Sequence, residues 1–277
     1  MDEERGPAEH GRAAEAGYDL RGRHPGEDVG SLFHRGGDRA PVSLPPQGSG
    51  RASGGIGLVS APLLAVVDYG AGNIRSVENA LRHLGARHFV TSRPSDLDEA
   101  DGLVFPGVGE AASSMSVLKK TGLDDAIRRF IASGRKTLGI CIGCQVVFER
   151  SEEADTECLG ILPGRVRRFP SGSGLKVPHM GWNQVRFLVP HPVFAGIPQG
   201  SSFYFVHSFY PSPAQREHVA AECEYGIVFP AAISARNFIA FQFHLEKSGP
   251  VGLALLRNFI EWDGSPTLSG VPRVNDA

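Results

Sequence analysis

From Leu63 onward, short apolar runs alternate with segments of helical period, and that alternation leaves few folds open. "LLAVVD" (63–68) is an unbroken apolar run closed by Asp, the pattern of a strand buried on both faces. "NIRSVENALRHLG" (73–85) places Ile74, Val77, Leu81 and Leu84 on one helical face. Asn73 is available to cap that helix and Gly85 to close it. "GLVFPG" (102–107) reads as a second buried strand and "LDDAIRRFIASG" (123–134) as a second amphipathic helix. "KTLGIC" (136–141) is a third strand, running into a helix predicted over "IGCQVVFER" (142–150). Strand-like stretches follow in "GRVRRF", "NQVRFL", "SFYFVHSF", "HVAAECE" and "NFIAFQF", and a last helix is predicted over 248–262 with Ser248 as its cap. Buried strands need cover on both faces and each amphipathic helix has one face to bury. The expected fold class is therefore α/β, a mostly parallel central sheet with flanking helices.

Residues 1–57 lack any such period. They are rich in Gly, Arg, Pro and acidic residues, and "PPQGSGRASGGIG" (45–57) is a flexible tract. Such a segment buries too little apolar surface to offset its ordering entropy, so residues 1–60 are expected to be a disordered extension. The folded domain is expected over 61–265, with a short tail over 266–277. Of the 277 residues, 41% are hydrophobic and 21% charged, ordinary for a globular protein. A net charge of −2 gives no electrostatic case for nucleic acid or an anionic membrane. No apolar run approaches the ~20 residues a membrane helix needs. "MDEERG" is too acidic and too polar to open a secretory or organellar targeting segment, so a reducing cytoplasm is the expected location. Cys141, Cys144, Cys158 and Cys223 are too few and too irregular for a disulfide framework.

Gly139-Ile140-Cys141-Ile142-Gly143 lies between a predicted strand and a predicted helix, the context of a nucleophile elbow. There the nucleophile occupies a tight turn, and its neighbours two residues away must be small. The thiol would point at a helix N-terminus that favours thiolate, and the N–H of Ile142 would help hold an oxyanion. A thiolate needs a base, and "FQFHLEKSG" (241–249) supplies His244 with Glu246 two residues on, able to orient the imidazole. A lone histidine before a helix is ordinarily a surface or capping residue. Paired with an elbow cysteine, at a strand end where α/β sites lie, it reads as the base. "FPGVGE" (105–110) lacks the Lys-Ser/Thr of a phosphate loop, and its other use is to present backbone N–H to an oxyanion. The same cysteines also allow a Cys-x-x-Cys redox or zinc pair, although Cys158 and Cys223 form no second pair to complete a zinc site.

Taken in order, "VVDYGAGNIRSVENAL" (66–81), "FPGVGE", "GICIGCQVVFERSEE" (139–153), "LGILPGRV" (159–166), "VPHMGWNQV" (177–185), "FYFVHSF" (203–209) and "FQFHLEKSG" resemble the glutaminase subunit of imidazole glycerol phosphate synthase, a class I (triad) glutamine amidotransferase. The resemblance spans roughly residues 63–262. It implies a flavodoxin-like three-layer fold, no cofactor and no metal, with L-glutamine as substrate. It implies Cys141, His244 and Glu246 as the triad, with Gln145 and Glu153 at the positions that hold the α-amino and α-carboxyl ends of glutamine. Gly107 and Val108 match the oxyanion strand, and main chain around His207 and Ser208 completes the pocket. The implied partner is a cyclase subunit, a (β/α)₈ barrel, in a heterodimer, with the "PHMGWN" segment near the interface. Ammonia would pass to that cyclase, which makes imidazole glycerol phosphate and aminoimidazole carboxamide ribotide in histidine biosynthesis. A peptide flip in "PGVG", eased by Gly107 and Gly109, is an expected switch.

Three positions depart from the family pattern. Cys144 stands where methionine is usual, Leu245 where proline is usual, and Phe209 where tyrosine is common. Leu245 would leave the His–Glu spacing less preorganised than a fixed proline φ. The alternatives are another triad amidotransferase, a Cys-x-x-Cys redox or zinc protein, and a scaffold whose triad Leu245 has spoiled.

Overall fold

The computed structural model describes residues 61–70, 74–170 and 174–266, and these belong to one compact unit. The expected N-terminal extension, the Asn73 cap and all but the first residue of the C-terminal tail lie outside the described residues.

The strands in chain order are β1 (Leu63–Val67), β2 (Arg87–Thr91), β3 (Gly102–Gly107), β4 (Lys136–Cys141), β5 (Arg150–Ser151), β6 (Thr156–Glu157) and β7 (Gly164–Arg168). Then come β8 (His179–Phe187), β9 (Ser202–His207), β10 (Phe209–Pro213), β11 (Val219–Tyr225), β12 (Ile227–Ala235) and β13 (Phe238–Phe241). The helices are α1 (Ile74–His83), α2 (Ala111–Thr121), α3 (Leu123–Ala132), α4 (Ile142–Gln145) and α5 (Gly249–Glu261). Nine strands form one sheet in the order β2-β1-β3-β4-β13-β12-β11-β8-β9, and β10-β7-β5-β6 form a small second sheet. From β2 to β13 every pairing is parallel; from β13 to β9 every pairing is antiparallel. The parallel half carries the predicted nucleophile on β4, and β13 beside it leads into the predicted base.

Alternate residues of the parallel strands feed two cores. Leu64, Val66, Val104, Leu138 and Ile140 pack on one face with Val77 and Leu81 of α1 and Leu255, Leu256 and Phe259 of α5. Ala65, Val67, Leu103 and Phe105 pack on the other with Met115 and Leu118 of α2 and Ile127 and Phe130 of α3. Helix α1 ends as its sequence predicts, at Gly85 with φ of 69°, where the Ala86 N–H closes on the Leu81 carbonyl.

Several elements differ from the sequence reading. Strands β2, β5, β6, β10 and β12 and helix α2 were not anticipated. Pro230 interrupts β12, and the structure tolerates it because the β11–β12 register shifts between Ala221 and Glu222, just where Pro230 pairs. The helix predicted over 142–150 is a single turn, α4. The carbonyls of Val146, Val147 and Phe148 accept from Leu159, Gly160, Ile161 and Leu162, so they are taken before the helix can propagate. Ser248 stands at the N-cap of α5 but makes no side-chain cap; its hydroxyl is used elsewhere.

The elbow has the geometry its glycines imply. Cys141 has φ 53° and ψ −104°, a conformation L-residues avoid. A Cβ on Gly143 would fall 1.9 Å from the Phe105 carbonyl oxygen, and one on Gly139 would fall 2.6 Å from the Gly143 oxygen. Backbone of β3 therefore sits directly on the turn. Gly143→Ala is expected to lower unfolding stability by about 3 kcal/mol or more, since the obstructing atom is backbone and cannot rotate away. A urea titration against the unsubstituted protein checks this.

Candidate active site

A cavity of about 290 Å³ opens at the C-terminal ends of β3 and β4. Its lining includes Val108, Cys141, Ile142, Gln145, Glu153, His207, Ser208 and His244, eight of the ten predicted site residues. The other two stand behind it. Glu246 backs His244, and Gly107 lies under the floor opposite Cys141, its Cα pressed by the Tyr69 hydroxyl and the Ile142 side chain. A larger groove of about 660 Å³, walled by Glu149, Arg150, Arg165 and Arg167 beside the second sheet, contains none of them.

His244 follows β13 and is almost wholly buried. Its Nδ1 lies 2.8 Å from Glu246 Oε1, so the ring proton on that side faces a carboxylate. Its Nε2 has no hydrogen-bond partner within bonding geometry, yet Cys141 is close enough to act on it electrostatically. Burial opposes charge on this imidazole, but Cys141 and Glu246 together outweigh burial and raise its pKa from 6.5 to about 9. That shift favours the cationic form of the His244 ring at neutral pH. Helix α4 is only one turn long, so the helix-dipole effect on Cys141 expected from the sequence is small.

The Leu245 departure does not loosen this geometry. Residues Leu245–Lys247 form a 3₁₀ turn with Leu245 buried. The Ser248 hydroxyl donates to the His244 carbonyl at 2.6 Å and accepts from the Tyr204 N–H at 3.0 Å. The His244 N–H in turn bonds the Tyr204 carbonyl at 3.0 Å. These bonds fix the base where a proline ring would otherwise stiffen the turn. Cys144 is fully buried in the apolar core beside Phe105 and Ala65, and burial, then the neighbouring Cys141, pushes its thiol pKa well up. Of the pair, Cys141 lines the cavity and Cys144 is packed into the core away from it.

Gln145 Nε2 donates to the Phe209 carbonyl and to Gln242 Oε1, each at 2.9 Å. Both its hydrogens are used, which leaves Oε1 as an acceptor for a cationic group. Glu153 accepts from the Ala111 N–H at 2.7 Å; burial raises its carboxyl pKa, and nearby Glu110 adds to the effect. The sequence reading missed Gln242, whose Nε2 lies 3.8 Å from Cys141 Sγ. Its signal was present: it precedes His244 by two residues, hence shares its strand face. Phe209 lacks a hydroxyl, but its main-chain carbonyl is the group in use here.

The glutamine amidotransferase class-I family model matches residues 65–262, and the chain belongs to that family. Within it the chain groups with one kind of synthase component. It is 48% identical over 200 residues to imidazole glycerol phosphate synthase subunit HisH of Dehalococcoides mccartyi, covering 72% of this chain and 97% of that protein. To the protein of the same name from Thiobacillus denitrificans it is 48% identical over 209 residues, covering 72% and 91%. Among solved structures, a GMP synthase component of Thermoplasma acidophilum shares the fold with a TM-score of 0.57 at 22% identity, covering 73% of this chain and 94% of that one. PurLQS of Thermotoga maritima does so with a TM-score of 0.58 at 16% identity, covering 73% and 99%.

An imidazole that binds its proton more tightly folded than unfolded stabilises the fold fully below pH 6.5. That contribution is lost as the pH rises through about 9. Tm is expected to fall across this interval, and to fall less in His244→Gln; thermal melts at stepped pH compare the two.

Proposed function

We propose that this chain hydrolyses L-glutamine and delivers the ammonia to a cyclase subunit, as the glutaminase half of an imidazole glycerol phosphate synthase in the cytoplasm. The observation that carries the reading is the pairing of a left-handed Cys141 with a His244 whose Nδ1 is held by Glu246 and whose Nε2 is unclaimed. The Cys141 thiolate attacks the side-chain amide carbon of glutamine. The developing oxyanion is held by backbone N–H groups at Ile142 and Val108. His244 passes the proton from Nε2 to the amide nitrogen, the C–N bond breaks, and ammonia leaves a γ-glutamyl thioester on Cys141. Water, deprotonated by His244 Nε2, attacks the thioester carbon; the C–S bond breaks and glutamate departs. Gln145 and Glu153 hold the α-amino and α-carboxyl ends of glutamine, and main chain at His207 and Ser208 borders the substrate.

The cyclase partner has a suitable surface in β8, where Met180 and Trp182 are 61% and 58% exposed on the outward side of the strand. Such exposed apolar side chains on alternate positions suit a docking face. The folded domain, residues 61–265, suffices for this chemistry, and residues 1–60 have no part in it.

Glutamate release by the purified chain, alone and with a cyclase subunit plus its ribotide substrate, tests the assignment. Strong stimulation by the pair is expected. Cys141→Ala is expected to reduce glutamine-dependent synthesis to background while free ammonia still supports the cyclase. Removing residues 1–58 is expected to leave the glutamine-dependent rate unchanged.

A further inference from the structure

The side chains of two buried histidines, His179 of β8 and His207 of β9, have no role in the chemistry above, yet they stand in an unbroken line of hydrogen bonds between β8 and Cys141. The direction of each bond follows from one obligate acceptor. The Phe209 carbonyl can only accept, so His207 Nδ1, 2.8 Å away, carries the ring proton. His207 is held neutral, its pKa lowered to about 3 by burial despite that bond, with His179 and His244 also disfavouring charge. Its Nε2 is then a lone pair, and His179 Nδ1, 3.0 Å away, is the donor to it. Burial also keeps His179 neutral, with its pKa lowered to about 4, so its own Nε2 accepts from Asn183 Nδ2 at 3.3 Å. The Asn183 amide is oriented independently: Nδ2 donates to the Glu224 carbonyl and Oδ1 accepts from the Gln184 N–H, each at 2.8 Å. On the far side, the same Phe209 carbonyl accepts from Gln145 Nε2, whose second hydrogen goes to Gln242, which reaches Cys141 Sγ. Reversing either ring tautomer would set two lone pairs against each other in a buried site.

We propose that His179 and His207, both in the Nδ1–H form, are positioning residues that hold Gln145 and the Cys141 thiol in register with strand β8. The inward residues of β8, His179 and Asn183, carry the chain; its outward residues, Met180 and Trp182, alternate with them on the same strand. A displacement of β8 moves both sets together. The glutamine pocket is thereby linked to the outer face of the domain without any charged intermediary. The effect on glutamine use rests on the glutaminase reading; the effect on the thiol does not.

Two substitutions at His179 separate positioning from packing. The ring stacks on Tyr225 at 4.0 Å and on Phe205 at 4.8 Å. His179→Phe keeps an aromatic ring and removes the donor. His179→Asn removes the ring and restores an amide donor near the place of Nδ1. The rate of Cys141 alkylation by iodoacetamide, located by peptide mass, is expected to change about fivefold in His179→Phe and by less than about twofold in His179→Asn, the effect of one hydrogen bond. KM for glutamine is expected to rise by a similar factor in His179→Phe alone. The reverse order, or equal effects, would show a packing role and overturn the proposal. ¹⁵N-histidine spectra of the unsubstituted full chain are expected to show both rings as Nδ1–H tautomers, and an Nε2–H form at either position would also overturn it. If the chain with its cyclase releases no glutamate, the glutaminase reading fails while alkylation and tautomers still decide the chain of bonds.

Discussion

The whole site hangs on one strained peptide turn. Cys141 adopts a left-handed backbone because β4 must end and reverse within a single residue, and the Phe105 carbonyl of β3 occupies the space any side chain at 143 would need. That close approach is possible only because β3 and β4 pair in parallel through Gly107 and Cys141, their last partners. The parallel half of the sheet therefore fixes Cys141, and β13, paired to β4 on its other side, brings His244 beside it. A thiol held this way has little freedom to turn aside, and the cost of the conformation is spread over two apolar cores that pack the sheet from both faces.

Much of this was legible in the sequence, for reasons that can be named. β1 and β3 are apolar runs, β4 is apolar from Leu138 onward, and α1, α3 and α5 have one-sided apolar periods, so hydrophobic pattern identifies them. The elbow declares itself through Gly139 and Gly143, and the base through His244 and Glu246 two residues apart. What was missed depends on tertiary contact. "RHFVT" at β2 is an edge strand, half-exposed and too mixed to read. "AASSMSVLKKT" at α2 is small and polar, yet Met115 and Leu118 suffice to seat it. Pro230 hides β12, because the register shift that accommodates it is set by pairing with β11, which is not local in sequence. The helix beyond Gln145 was over-read because its local pattern is helical while its carbonyls are claimed by the N–H groups of Leu159 to Leu162. Gln242, His179 and His207 matter here through bonds to residues far away in sequence, which no local pattern reports.

The polar interior is unusual in its directionality. Neutral imidazoles, two glutamine amides and one asparagine amide each donate and accept in one sense only, and a single main-chain oxygen at Phe209 receives from both halves. Such an array specifies one arrangement of buried groups where an apolar core would permit several. Of the three buried histidines His179, His207 and His244, only His244 has an environment that favours its charged form, which separates it from its neighbours by chemistry as well as by position.

Ser248 holds the turn at His244 by a different thermodynamic route from the one a proline at position 245 would use. A proline ring narrows the unfolded chain, an entropic effect that persists on heating. A hydroxyl bonded to the His244 carbonyl and to the Tyr204 N–H acts through enthalpy in the folded state, and that grip slackens as thermal motion grows. A turn held by such bonds gives the His244 imidazole more room to wander on heating than one whose φ a ring has fixed.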